Sequence, residues 1–278
     1  MSSSEKSKLT KTVENPQQTT QIIQQKDSLE PGECLVGRFI IKSLQGRGRY
    51  GCVYNAYDQQ LDAVIAIKVL DQSLSENANN LADFKNELLL VRQLSHPNII
   101  RVHEYYQHQN LHFLTMDWIE GSSLEEIIAS QSLSIKQVHH IIEQLLSGLA
   151  FAQQAGVTHK DIKPENIMLD TSDRLYIADF GLSVLNKERV STSVIGTPYY
   201  APPEYLQLGK INASTDLYAA GIVIFQLCCQ CLPFRGDSID EIVQSKLLIK
   251  PKFNPVNAEL NTLKSWLLSI ISAHVASR

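Results

Sequence analysis

The sequence predicts an α+β fold of two lobes: a small β-rich lobe with one helix, then a larger helical lobe. Three observations carry this. Between Leu35 and Leu70 the chain is rich in β-branched and aromatic runs; beyond Asp117 the apolar spacing becomes that of helices; and the two regimes occur once each, strands first, with no internal repeat. The chain has 278 residues, 44% of them hydrophobic, enough apolar material for one large core or two small ones.

Taken in order, the first 30 residues are rich in Ser, Thr, Gln and Lys and poor in aromatics. Such a segment buries too little surface to offset its ordering entropy, so a disordered lead over 1–33 is expected. It contains no apolar core segment, which argues against a secretory signal. Phe39-Ile40-Ile41, Cys52-Val53-Tyr54 and Val64-Ile65-Ala66-Ile67 read as strands. Phe84, Leu88 and Val91 recur at helical spacing, which predicts a helix over about Asn80–Leu94. Strands near Ile99–Tyr106 and Leu111–Met116 flank the polar turn His108-Gln109-Asn110, so the small lobe is expected over 34–116 and the larger one over 117–278. Ser134 can cap a helix whose face is Ile135, Val138, Ile142, Leu145 and Leu149, with Gly156 as its stop. Leu217–Phe234 is the most apolar stretch. Gln226, Gln230 and Pro233 interrupt it and it is short for a span, so it reads as a buried helix.

Composition narrows the function classes. A net charge of −4 from 25 basic and 29 acidic residues gives no single-sign field, so neither nucleic acid nor a membrane surface is indicated as a partner. The five cysteines, Cys34, Cys52, Cys228, Cys229 and Cys231, are odd in number and three are crowded into an apolar run. That suits reduced thiols in the cytoplasm better than a disulfide framework, and the spacing is wrong for zinc. His139-His140 lies mid-helix with no acidic or Cys cluster to match, so no metal is assigned there.

A series of short motifs carries the chemistry. Gly46, Gly48, Gly51 and Val53 form G-x-G-x-x-G-x-V. Glycines let a backbone approach phosphates where a Cβ would intrude. A dinucleotide fingerprint shares the first six positions and a plain hairpin turn is the bland reading, but here strands flank the loop and no helix follows it. Lys68 ends Ala66-Ile67-Lys68 on an apolar strand, where an amine is costly to bury without an anion. It is either an edge lysine with its head in water or a phosphate ligand held by a carboxylate on the next helix, such as Glu87. Thr158 to Asn166 then supplies Asp161, Lys163 and Asn166, and Ile177 to Gly181 supplies Asp179 at a strand end. Gly196-Thr197-Pro198-Tyr199-Tyr200-Ala201-Pro202-Pro203-Glu204 follows. Each of these residues could singly be a turn former; the motifs in this order make coincidence very improbable.

From about residue 35 onward the chain resembles the eukaryotic-like (Hanks-type) serine/threonine protein kinase catalytic domain, a bilobal fold. The resemblance implies transfer of the γ-phosphoryl group of ATP, with Mg²⁺ (Mn²⁺ possible), to Ser/Thr hydroxyls of protein substrates, autophosphorylation included. It implies that Gly46, Gly48 and Gly51 cover the phosphates, and that Val53 and Ala66 pack above the adenine and Met168 below. Lys68 would contact the α/β phosphates and pair with Glu87. Met116 would be the gatekeeper, and Asp117 and Ile119 the hinge whose backbone reads the adenine edge. Asp161 would accept the hydroxyl proton, Asn166 and Asp179 would hold the metal, and Lys163 marks Ser/Thr over Tyr specificity. Thr197 would bond near Asp161 and Lys163, Asp216 would brace the catalytic loop, and Glu204 would pair with Arg278.

Some residues depart from the family pattern. Lys160 stands where most members have Arg, and Lys cannot reproduce Arg's bidentate grip on an activation-loop phosphate. Weak dependence on phosphorylation at Ser193, or at Ser191 and Thr192, is therefore expected. Pro202 replaces an Ala before Pro203-Glu204, which implies local stiffening only. Arg47 and Arg49 are expected to face solvent, and Cys52 to be a small packed side chain. Arg278 is the last residue, so the final helix of the usual domain is missing and a longer parent protein is expected. Two rival readings remain, a pseudokinase or ATP-binding scaffold and a small-molecule kinase of related fold. The intact Lys68, Glu87, Asp161, Asn166 and Asp179 disfavour the first, and the Gly196–Glu204 segment disfavours the second. Dimerisation is left open.

Overall fold

A computed structural model describes residues 29–48, 51–71, 78–130, 133–180, 197–212 and 214–272. Residues 1–28, Arg49, Ser191, Thr192, Ser193 and Arg278 lie outside these, as does the side chain of Thr197.

Six strands form one antiparallel sheet: β1 (Cys34–Leu35), β2 (Phe39–Gly48), β3 (Gly51–Asp58), β4 (Ala63–Leu70), β5 (Val102–His108) and β6 (Leu111–Asp117), in the order β1-β2-β3-β4-β6-β5. Residues 29–33 depart from the sequence expectation. Leu29 N–H donates to the Tyr54 hydroxyl and Gly32 N–H to Ile41 O, so 29–33, expected as part of a disordered lead, is pinned along the sheet.

The period-2 alternation of β4 sends its residues to two different cores. Ile65 and Ile67 join Phe39, Ile41, Tyr54 and Phe113 on one face. Ala66 and Leu70 join Leu114, Met116 and the helix α1 (Ala78–Val91), through Phe84 and Leu88, on the other. Lys68 has the parity of Ala66 and Leu70, so the pleat itself places it on the α1 side.

Gly51 begins β3 at φ +132°, and a Cβ there would lie 1.9 Å from Val69 O. Gly51→Ala is therefore expected to force the β3–β4 pair apart, at a cost of about 1–3 kcal/mol, the scale of single-residue backbone strain and overpacking. A thermal melt checks this; an unchanged midpoint would mean the strands adjust freely.

The helical half contains α2 (Leu124–Ser130), α3 (Ile135–Gln154), α4 (Pro203–Leu208), α5 (Thr215–Cys229), α6 (Ile239–Leu248) and α7 (Lys264–Ser272). Ser134 and Gln137 form a reciprocal capping box at the start of α3, and Gly156 at φ +74° follows its end, as the sequence indicates. Twelve of the fifteen residues of α5 are buried, so the most apolar stretch is the helix around which this half packs. No helix among the described residues is long and apolar enough to cross a membrane. A second sheet, β7 (Gly121–Ser123), β8 (Ile167–Asp170) and β9 (Leu175–Ile177), belongs to the helical half and meets the loop after α1 through a bridge between Ile99 and Ile177. Ile100 N–H donates to Ile177 O at 3.0 Å and Ile177 N–H to Asn98 O at 2.9 Å. The buried Asn98 amide donates to Gln144 Oε1 of α3 and to Leu175 O, both at 2.9 Å. This junction fixes the loop after α1 against the helical half.

Candidate active site

Strand register lines up the first part of the site. Gly46 lies opposite Val53, and Val53 opposite Lys68. One pleat further, Ala66 lies opposite Met116. Ala66, Met116 and Ile119 share an apolar cluster with the partly buried Val53 and Met168, the last from β8. A flat apolar group could therefore be clasped between Val53 and Ala66 on one side and Met168 on the other, with the Lys68 amine beyond it. At the end of β6, Asp117 N–H donates to Arg101 O. The Asp117 carboxylate lies 2.8 Å from His103 Nε2, and this hydrogen bond holds it below the usual carboxylate range.

The second part is a loop, Thr158–Asn166, locked from both sides. The carboxylate of Asp216, in the first turn of α5, accepts His159 N–H at 2.7 Å and Lys160 N–H at 2.8 Å. Lys160 takes φ +68°, a left-handed conformation that a non-glycine residue adopts at a cost, and these two bonds hold it there. The His159 ring is fully buried, 4.5 Å from Phe180 in an edge-on contact. Its Nδ1 accepts Asp161 N–H at 3.2 Å, so Nε2 carries the proton and donates to Ala178 O at 2.6 Å. The imidazole thereby ties the loop bearing Asp161 to the chain leading to Asp179. Asn166 completes the tie: Ala178 N–H donates to Asn166 O at 2.8 Å. The Asn166 amide donates to Asp161 O at 2.8 Å and Asp161 Oδ2 at 3.2 Å. Lys163 Nζ lies 3.4 Å from the same Oδ2.

Asp179, also left-handed at φ +66°, brings its carboxylate to 2.5 Å from Lys68 Nζ. Residues 111 positions apart in sequence thus meet, and the buried amine gains its counterion. The resemblance implied a different pair, Lys68 with Glu87, and here the structure corrects it. Glu87 Oε1 of α1 instead accepts from Lys160 Nζ at 3.1 Å. The reason is competition among four charges. The Asp216 brace turns Lys160 toward α1, Asp179 reaches Lys68, and each cation takes one carboxylate. The expected brace by Asp216 is present; Glu204 lies in α4, close enough to Lys246 and Tyr218 to act on both electrostatically.

A carboxylate (Asp179) and an amide whose nitrogen is committed elsewhere (Asn166) present oxygen donors, the chemistry a hard divalent cation takes. Few protein donors are needed where phosphates supply the rest, so the residues present fit such an ion.

Sequence reasoning named His159 only within its motif and gave no role to Phe180 or Lys246. Buried aromatics beside a catalytic motif are a weak signal; for Lys246 the available signal is its spacing, which puts it on the apolar face with Ile239, Ile242 and Val243.

Comparison with known proteins agrees in extent with this geometry. The sequence pattern described as the protein kinase domain matches residues 39–276. The chain is 32% identical over 243 residues to serine/threonine-protein kinase PrkC of Bacillus subtilis, covering 86% of this chain and 36% of that protein. It is 34% identical over 205 residues to calcium-dependent protein kinase 5 of Plasmodium berghei, covering 72% and 36%. It is 30% identical over 217 residues to CBL-interacting protein kinase 15 of Oryza sativa, covering 76% and 50%. The chain spans half or less of the length of these curated relatives.

Proposed function

The chain belongs to the protein kinase domain family, and from that premise we propose that it transfers the γ-phosphoryl group of ATP to Ser and Thr hydroxyls of proteins, its own included. The observation that carries the proposal is that Lys68 meets Asp179, that Asp161, Asn166 and Lys163 meet one another, and that the Ala178–Asn166 backbone bond joins the two groups.

The roles are those the family resemblance implies, and the positions described above support them. Val53, Ala66 and Met168 sandwich the adenine, Met116 closes the back of the pocket, and the backbone of Asp117 and Ile119 reads the base edge. The backbone at Gly46, Gly48 and Gly51 covers the phosphates, and Lys68 neutralises them. Asn166 and Asp179 would hold Mg²⁺, or Mn²⁺, which supplies charge neutralisation on the phosphate oxygens. The Asp161 carboxylate, oriented by Asn166 and Lys163, accepts the proton of the acceptor hydroxyl. Phosphoryl transfer through a loose transition state asks for positioning and charge neutralisation more than covalent help, and this cast supplies both. Lys163 supports Ser/Thr specificity, and the segment from Thr197 to Glu204 is assigned to docking the acceptor peptide. Five free thiols and the use of ATP support a cytoplasmic setting.

Incubating the purified chain with labelled Mg·ATP and acceptor proteins, with mass-spectrometric mapping of product sites, tests this. Label on Ser/Thr is expected. ATP binding without any transfer would favour a scaffold role, and label on small molecules alone would remove the protein substrate.

Lys160 also bears on control. Its amine is engaged with Glu87 across the cleft, which supports a site that is not built around a loop phosphate. Combined Ser191→Ala, Thr192→Ala and Ser193→Ala substitution is expected to leave at least half of the transfer rate. A tenfold loss would establish control by phosphorylation at those residues.

A further inference from the structure

The residues assigned to the reaction leave one buried cation without a role. Lys246 lies on α6 and is 2% exposed. Its amine donates to Tyr199 O and to Ala201 O, both at 2.7 Å. It also lies over the Tyr218 ring at 5.1 Å and the Phe234 ring at 5.8 Å. Burial brings its pKa down to about 7, against the opposing pull of the Glu204 carboxylate.

Burying a lysine is expensive, and an apolar side chain of similar length would fill the same space at lower cost. What an apolar residue cannot do is bind two carbonyls of one short loop at once. The loop concerned is held by side chains as well: the Tyr199 hydroxyl donates to Gly236 O at 3.0 Å and the Tyr200 hydroxyl to Gln226 Oε1 at 2.7 Å. Lys246 therefore fixes the backbone at two alternate positions of the stretch between the Thr197–Tyr199 turn and α4, while the tyrosines fix its side chains.

We propose that Lys246 is a positioning residue for the acceptor peptide: by gripping the Tyr199 and Ala201 carbonyls it sets the path of the docking segment, and so governs peptide affinity without governing nucleotide affinity. The assignment rests on the kinase reading above. Its partners, Tyr199, Ala201, Tyr218, Phe234 and the nearby Glu204, all belong to the helical half, away from the Lys68–Asp179 pair.

The test is steady-state kinetics on the full chain with dephosphorylated casein as acceptor, measuring KM separately for casein and for ATP. Lys246→Met keeps the aliphatic bulk and removes the donors. It is expected to raise the casein KM tenfold or more while the ATP KM and acceptor-free ATP hydrolysis stay within twofold. Lys246→Arg, which restores donors, is expected to recover most of the casein affinity. Unchanged casein KM in Lys246→Met, or equal rises in both KM values, would overturn the proposal. Should neither Lys246→Met nor Lys246→Gln retain the native circular dichroism, the lysine is a folding residue and the assignment falls. A wild-type chain that transfers nothing removes the kinase premise, and the proposal with it; that outcome shows before any variant is made.

Discussion

Asp161→Asn is expected to lower phosphoryl transfer by a factor of about 10²–10⁴, the range general-base catalysis contributes, with ATP affinity within twofold of wild type. The substitution is nearly isosteric and the loop is held by bonds that do not involve the Asp161 side chain. His159 N–H and Lys160 N–H still reach Asp216, and the Asn166 amide still reaches the backbone carbonyl of residue 161. What is lost is the negative oxygen that Lys163 and the Asn166 amide approach at 3.4 and 3.2 Å. An amide there is a poor proton acceptor. Initial rates with labelled ATP, beside ATP binding by calorimetry, read both halves of the expectation. Full transfer by Asp161→Asn would mean the hydroxyl proton leaves by another route; a parallel loss of ATP binding would mean the residue is structural.

Asp216→Asn is expected to be nearly as damaging to turnover although Asp216 lies outside the cleft chemistry. Its two carboxylate oxygens accept two backbone N–H groups, one buried and one partly buried, and an Asn side chain can offer one acceptor while turning an N–H₂ group toward the other donor. Leaving a buried donor unsatisfied costs about 1–3 kcal/mol. For a chain of 278 residues that corresponds to a fall of about 2–5 °C in Tm. The more specific effect is on Lys160, whose left-handed backbone is held only while its N–H is paired. If that turn relaxes, Asp161 and the Lys160–Glu87 bridge move together. At least a tenfold loss of kcat is expected with native circular dichroism. A variant with lowered Tm but undiminished kcat would show that the brace serves stability alone.

Much of the site was legible because its residue types are chemically irreplaceable at short range. Glycines at 46, 48 and 51, and the Asp, Lys and Asn of the catalytic loop, announce themselves without any knowledge of their neighbours. The capping box at Ser134 and the burial of α5 were legible for the same reason, since capping is local and a helix apolar on all sides has nowhere else to go. The short strands β7 and β8 were not legible, because three or four residues give too few alternations to separate a strand from a loop.

The pairing of charges was beyond the sequence. Lys68 needs a carboxylate, and the chain offers Glu87 and Asp179 at great separation; only the folded geometry gives Asp179 to Lys68 and Glu87 to Lys160. Lys246 is the same case in reverse, a lysine whose residue type says solvent and whose place is 2% exposed between two rings and two carbonyls. Periodicity and motif chemistry are properties of neighbouring residues, and so the sequence by itself determined the strands-then-helices order and the longer elements, and pointed to the motif residues. Ion pairs and buried donors depend on distances of a few ångströms between distant segments, and these exist only once the tertiary structure has closed around them.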